Sequence, residues 1–184
     1  MCSGTDAQAI EYGLARSNRW PGWVASLRAV SSDVLTVFPT DPYWQPSRAD
    51  GTRAAALAAE LAPVGRRTAP VPTEPRWHEG VVFVDCGSNL EAVGCRLCGT
   101  SLELTWWSEA VDARAVGGFE DLEVLTPCCA AAHSLNDLDY RWPCGFARFD
   151  VPIRNPERDW LEEWDLAAIG KVLGHPVWQV RAHY

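Results

Sequence analysis

Phe146-Ala147-Arg148-Phe149-Asp150-Val151-Pro152-Ile153, then Asn155-Pro156, then Val177-Trp178-Gln179-Val180 after Gly174, is the stretch that carries the fold. Over 146–153, Phe146, Arg148 and Asp150 alternate with Ala147, Phe149 and Val151, the pattern of a half-buried strand. Asn155-Pro156 reads as a helix start, with Asn as N-cap and Pro at the first helical position. Glu157 and Asp159 suit the positive end of that helix. Leu161, Trp164, Ala168 and Val172 form its apolar stripe down to Gly174, and Val177 to Val180 form a closing strand. The same order occurs earlier. Val34-Leu35-Thr36-Val37-Phe38 is a strand stopped by Pro39-Thr40-Asp41-Pro42, and Tyr43-Trp44-Gln45-Pro46 is a loop. Ala54 to Leu61 is a helix with Leu57 and Leu61 at i,i+4, capped by Asp50 or Ser47 and ended by Pro63 and Gly65. A proline-rich connector over 63–75 leads to the strand Val81 to Val84.

Setting aside residues from about 93 to about 140 leaves strand, helix, strand, strand, helix, strand. The expectation is an α+β protein with a ferredoxin-like (split βαβ) core. Residues 33–184 make that domain, and the segment at 93–140 is a module inserted between its second and third strands. Residues 1–32 are weakly patterned and are expected to form a poorly ordered N-terminal arm, in which Arg19-Trp20-Pro21-Gly22-Trp23 offers an aromatic to pack on the body.

The inserted segment holds most of the cysteines. The seven are Cys2, Cys86, Cys95, Cys98, Cys128, Cys129 and Cys144, an odd set with no basic and apolar leader at MCSGTDAQAIEYG. That argues against a disulfide framework and for a cytoplasmic protein. Cys95-Arg96-Leu97-Cys98-Gly99 is a C-x-x-C-G knuckle, whose glycine allows the turn that aims backbone amides at sulfur. The alternation of Leu102, Leu104 and Trp106 after it reads as a strand, which places the knuckle in a hairpin and not at the head of a redox helix. A second short strand, Leu122 to Leu125, leads to Thr126-Pro127-Cys128-Cys129. The expected metal ligands are therefore Cys95, Cys98, Cys128 and Cys129, with His133 as the competitor for one of the last two. Ala110 to Ala115 and Leu135 to Leu138 are expected to be a short helix and a helical turn. Four thiolates make a closed, electron-rich site, so the expected cofactor is a structural Zn2+ that staples a zinc-ribbon-like module. Cys86 and Cys144 are read as core residues, with a spare metal ligand as the alternative for Cys144.

The function classes narrow by elimination. No HExxH, H-x-E with P-C-x-x-C, phosphate loop or GxSxG elbow is present, and Asp85, Glu103, Asp137 and Asp139 show no acid–base spacing. The expectation is a protein that is not an enzyme. No apolar run approaches the length of a membrane span. The net charge of −8 and pI near 4.9 disfavour general nucleic-acid binding and favour a basic partner. Trp44, Trp77, Trp107 and Trp142 are candidate aromatic anchors for it. The leading reading is a protein-binding protein that neutralises a basic partner, such as a toxin. The alternative is a zinc-ribbon adaptor or regulator that contacts nucleic acid through Arg66-Arg67, Arg76, Arg96, Arg114 and Arg141. His78, His175 and His183 are read as isolated.

The runs CRLCGTSLELTWW (95–107), TPCCAAAHSLNDLDYRWPCGFARFDVPIRNP (126–156) and GHPVWQVRAHY (174–184), with the FPTDPYWQP loop (38–46), carry a resemblance. From Val34 to Tyr184 the chain resembles a group of small actinobacterial-type proteins with a CxxCG…PCC zinc-ribbon-like module. That resemblance implies the fold and the zinc site and no activity. In composition and build the chain is also similar to acidic immunity proteins of bacterial toxin systems, an analogy that implies a toxin partner.

Overall fold

The computed structural model of the chain describes residues 32–65 and 72–184. The expected arm, except Ser32, and part of the proline connector, including Arg66 and Arg67, lie outside those residues. Four strands form an antiparallel sheet: β1 (Asp33–Pro39), β2 (Arg76–Val84), β8 (Gly145–Arg154) and β9 (Val177–His183), in the order β2-β8-β1-β9. Helix α1 (Arg48–Leu61) connects β1 to β2, and α3 (Glu163–Leu173) connects β8 to β9. The architecture is mixed α+β.

Strand alternation divides the sheet into two faces. Leu35, Val37, Phe149, Val151 and Ile153 point to one side, where Ala54, Ala55 and Ala58 of α1 and Ile169 and Leu173 of α3 cover them. Small alanines let α1 sit close. Ser47 caps that helix by accepting from the Asp50 amide, so it is Ser47 of the two candidates that takes the N-cap. Gly51 marks the closest approach. A Cβ there would run into the Trp77 ring and lie 2.9 Å from Phe149 Cε2. Helix propensity favours alanine over glycine by ~1 kcal/mol, yet overpacking of this kind costs ~1–3 kcal/mol. Gly51→Ala is therefore expected to lower the urea midpoint, and a raised midpoint would show that the site has slack.

The structure corrects the start and phase of α3. Asn155 is not a helix cap. It takes φ +49°, accepts from the Asp33 amide through its side chain and donates its own amide to the Asp33 carbonyl. Asparagine tolerates this left-handed conformation, and here it closes β8 onto β1. The helix begins seven residues beyond Pro156, at Glu163, with the Glu162 amide donating to the Asp165 carboxylate. Its buried face is accordingly Asp165, Ile169, Gly170 and Leu173, while Trp164 of the expected stripe is 71% exposed. Gly174 ends it with φ +86°.

The opposite face of the sheet is divided. Phe38, Val84, Cys86, Cys144 and Val180 form a buried cluster at one end, with Tyr140 and Trp142 against it, so Cys86 and Cys144 are core residues. Thr36, Asp150, Pro152 and Arg154 line a cleft at the other end. No helix among the described residues is long and apolar enough to cross a membrane.

Between β2 and β8 the chain builds two small hairpins and a helix. β3 (Val93–Gly94) pairs with β4 (Ser101–Leu102) and with β7 (Asp139–Tyr140), and β5 (Glu123–Leu125) pairs with β6 (Ala132–Ser134). The expected strand through Leu104 and Trp106 is instead the start of helix α2 (Leu104–Ala115), of which Ala110 to Ala115 is the second half. Helical spacing prevails because Trp106, Trp107, Ala110 and Val111 together cover a core of Val93, Leu102, Leu122, Leu135 and Phe146. Leu135–Asp137 forms a single 3-10 turn.

Candidate metal centre

The β3–β4 and β5–β6 hairpins, between β2 and β8, end in the same kind of turn. In the first, the Cys95 amide donates to the Thr100 carbonyl (2.9 Å) and the Gly99 amide to the Cys95 carbonyl (2.9 Å). In the second, the Thr126 amide donates to Ala131 (3.0 Å) and the Ala130 amide to Thr126 (2.8 Å). The turns therefore superpose Cys95 on Thr126, Leu97 on Cys128, Cys98 on Cys129 and Gly99 on Ala130. Gly99 takes φ +70° at no cost, whereas Ala130 holds φ +53°, a conformation that strains a residue with a Cβ. The second turn is thus a knuckle whose first ligand position is threonine and whose extra cysteine stands one place before the second.

The turns face each other through their sulfurs. Cys98 Sγ lies 3.4 Å from Cys128 Sγ, Cys95 Sγ 3.7 Å from Cys129 Sγ, and the sulfurs of Cys128 and Cys129 are 3.9 Å apart. All four ligand atoms fall within 4.8 Å of one another, close enough for one metal ion. A tetrahedral thiolate site with ~2.3 Å metal–sulfur bonds has sulfur–sulfur edges of ~3.8 Å, so the residues present fit such a site. Among the described residues this is the only group of three or more His, Cys, Asp or Glu ligands with that geometry.

The surroundings prepare the sulfurs unequally. The amides of Cys98 and Leu97 aim at the Cys95 sulfur and hold its thiol down at about 7. The hydroxyl and amide of Thr100 draw the Cys98 thiol down to about 6. Loss of water around the Cys128 sulfur, and then the neighbouring Cys98 thiol, push Cys128 up to about 12. A bound divalent cation removes this difference by deprotonating each thiol it coordinates.

His133 is buried on β6 and stands outside the four-sulfur group. Its Nε2 lies 3.4 Å from Cys95 Sγ, at the distance of an N–H donor to sulfur. The Thr126 hydroxyl lies 3.4 Å from Cys129 Sγ and 3.9 Å from Cys95 Sγ. Thr126 thus occupies the ligand position of the second turn with a polar contact to two of the sulfurs. Sequence reasoning passed over it because threonine in T-P-C-C does not look like part of a knuckle. The matched turn hydrogen bonds reveal it.

The other residues singled out above take different places. Trp77, Trp107 and Trp142 spend their indole N–H groups on Pro46 O, Tyr140 Oη and Arg181 O, and Trp44 stacks on His175 at 4.6 Å. All four are built into the body and none is a free anchor. Arg76 on β2 and Arg114 on α2 are engaged by Asp150 and Asp121. Asp85 accepts from Tyr184 Oη and from the Gly87 amide, and Glu103 is the N-cap position of α2. The buried Asp150 and the half-buried His78, which sequence reasoning did not pair, lie 2.8 Å apart. No protein-family model, curated protein sequence or solved structure matches this chain.

Proposed function

We propose that this is a non-enzymatic binding protein in which a structural Zn2+ organises a docking surface for a basic protein partner. The observation that carries the reading is the apolar surface around the cysteines. Leu97, one residue before Cys98, is 71% exposed, and Leu125, three residues before Cys128, is 66% exposed. A groove of about 430 Å³ reaches Cys128, and in it Leu102, Trp106 and Pro127 supply apolar walls and Glu103 and Glu109 supply negative charge. Apolar anchors ringed by carboxylates suit a partner with cationic side chains around a hydrophobic centre.

On this reading Cys95, Cys98, Cys128 and Cys129 hold the ion, with His133 as an outer donor to sulfur. Zinc bound by four thiolates supplies folding energy and no open position for chemistry. The strand order β2-β8-β1-β9, with both crossover helices on one face, supports a ferredoxin-like core. The paired hairpin turns support a zinc-ribbon-like insertion. The six cysteines among the described residues are all free, which suits a reducing compartment, the cytoplasm. Neutralisation of a basic toxin is the most specific form of this function.

The test is a pull-down with the tagged full chain from nuclease-treated lysate of the source organism, beside a Glu103→Lys/Glu109→Lys variant. The expected result is one stoichiometric basic protein, retained at low salt, released by salt and lost with the variant. A partner that binds the variant equally, or one that disappears on nuclease treatment, would overturn the proposal.

A further inference from the structure

The cleft on the face of the sheet turned away from α1 and α3 measures about 620 Å³ and shares no lining residue with the groove beside Cys128. A break in register creates it. β2 pairs with β8 at Arg76↔Asp150 and Trp77↔Phe149 and resumes at Val82↔Ala147, so His78 to Val81 bulge out of the ladder. Bulges of this kind re-aim side chains and gather at binding sites. Gln45 holds the bulge by donating to the carbonyls of His78 (2.8 Å) and Arg148 (2.7 Å), and Arg148 donates to Glu79 O.

The bulge brings His78 and Arg76 onto one carboxylate. Asp150 is 1% exposed, and its two oxygens meet Arg76 Nε at 2.6 Å and His78 Nε2 at 2.8 Å. A buried carboxylate so paired fixes both partners in place. Arg76 spends only its Nε there. Its Nη groups have no partner among the described residues, and its side chain is 51% exposed. Arg154, two strand positions on from Pro152 along the same cleft, has no side-chain partner among the described residues. Asp85, the other acid of the cleft, accepts from Tyr184 Oη. The cleft therefore presents the unused Nη groups of Arg76 and the guanidinium of Arg154, with the Asp85 carboxylate held by Tyr184 Oη at its edge, above apolar walls from Val34, Val82 and Pro152.

We infer that this cleft binds a small organic acid. The Nη edge of Arg76 and the guanidinium of Arg154 hold its carboxylate or phosphate, and the apolar walls hold its body. Guanidinium groups recognise both oxyanions through paired N–H donors. Asp150 and His78 position Arg76 and do not touch the ligand's charge. The inference stands apart from the partner reading, because the two sites use different surfaces.

The test titrates the zinc-loaded full chain with benzoate, phenyl phosphate and neutral benzamide. The readout is the backbone amide NMR signals of Arg76, His78 and Arg154. At least one of the acids is expected to move these signals saturably in the millimolar range, and benzamide is expected not to. Binding of benzoate alone identifies a carboxylate site, and binding of phenyl phosphate alone a phosphate site. Arg154→Gln is expected to weaken binding about tenfold or more. Because Arg154 is exposed and unpaired, its melting temperature is expected to stay unchanged, which separates lost binding from lost fold. The inference is overturned if neither acid moves these signals, if benzamide moves them equally, or if Arg154→Gln binds like the parent.

Discussion

Cys95→Ser is expected to leave the chain without stoichiometric metal and to lower its melting temperature by at least ~10 °C. Cys95 is the one buried member of the four, and its sulfur receives the amides of Cys98 and Leu97 and lies beside His133 and Thr126. Serine keeps the shape and loses the thiolate. The hairpins it joins are too small to hold alone, since β3 and β4 have two residues each and β5 and β6 three. Structural zinc contributes apparent energies of ~10–16 kcal/mol in zinc-finger peptides, as large as the whole stability of an ordinary domain. Losing even ~5 kcal/mol of that from a domain of this size shifts melting by ~10–20 °C. Cys144→Ser, in the separate core cluster, is the control and is expected to keep its metal. Metal analysis and thermal melting of the two variants check this. A Cys95→Ser protein with one metal per chain and the parent's melting temperature would contradict it.

Phe146→Ala is expected to cost ~3–5 kcal/mol, the range for emptying a fully buried phenylalanine site. Its backbone belongs to β8 of the sheet, yet its ring packs with Phe83 at 5.2 Å and Phe119 at 5.1 Å between ring centres, inside the core of the inserted segment. The Phe146 amide also donates to Asn136 Oδ1 at 3.0 Å, tying β8 to the turn after β6. One side chain thus joins the sheet to the cysteine-bearing hairpins. Its removal is expected to lower the urea midpoint and to speed metal release to a chelator together. Phe146→Leu, which refills most of the space, is expected to lose less. A loss below ~1 kcal/mol for the alanine variant would show that the two parts are joined elsewhere.

The strands Val34 to Phe38, Val81 to Val84, Phe146 to Ile153 and Val177 to Val180 were legible because alternation and proline stops are local signals. The helix at Ala54 to Leu61 was legible by its spacing and its Ser47 cap. Three features were not. Leu102, Leu104 and Trp106 obey a two-residue period by coincidence, and what makes Leu104 to Ala115 helical is a core brought from four distant segments. Asn155-Pro156 carries cap chemistry, but its asparagine is used in a left-handed turn that depends on pairing with Asp33. The bulge at His78 to Val81 shows only once β2 has been paired with β8, so His78 looked isolated in the sequence. The cysteines were legible as a set because C-x-x-C-G and P-C-C are short motifs. The role of Thr126 was hidden because it rests on hydrogen bonds across a turn.

On the proposed reading, four sulfurs from two matched hairpin turns enclose one structural zinc ion. Zinc-edge X-ray absorption on the purified, zinc-supplemented full chain, with metal counted per chain, tests it most directly. One zinc per chain is expected, with four sulfur neighbours at ~2.3 Å and no nitrogen or oxygen bound to it. A chain that stays substoichiometric in zinc, or a shell with a nitrogen or an oxygen ligand in place of a sulfur, would contradict it.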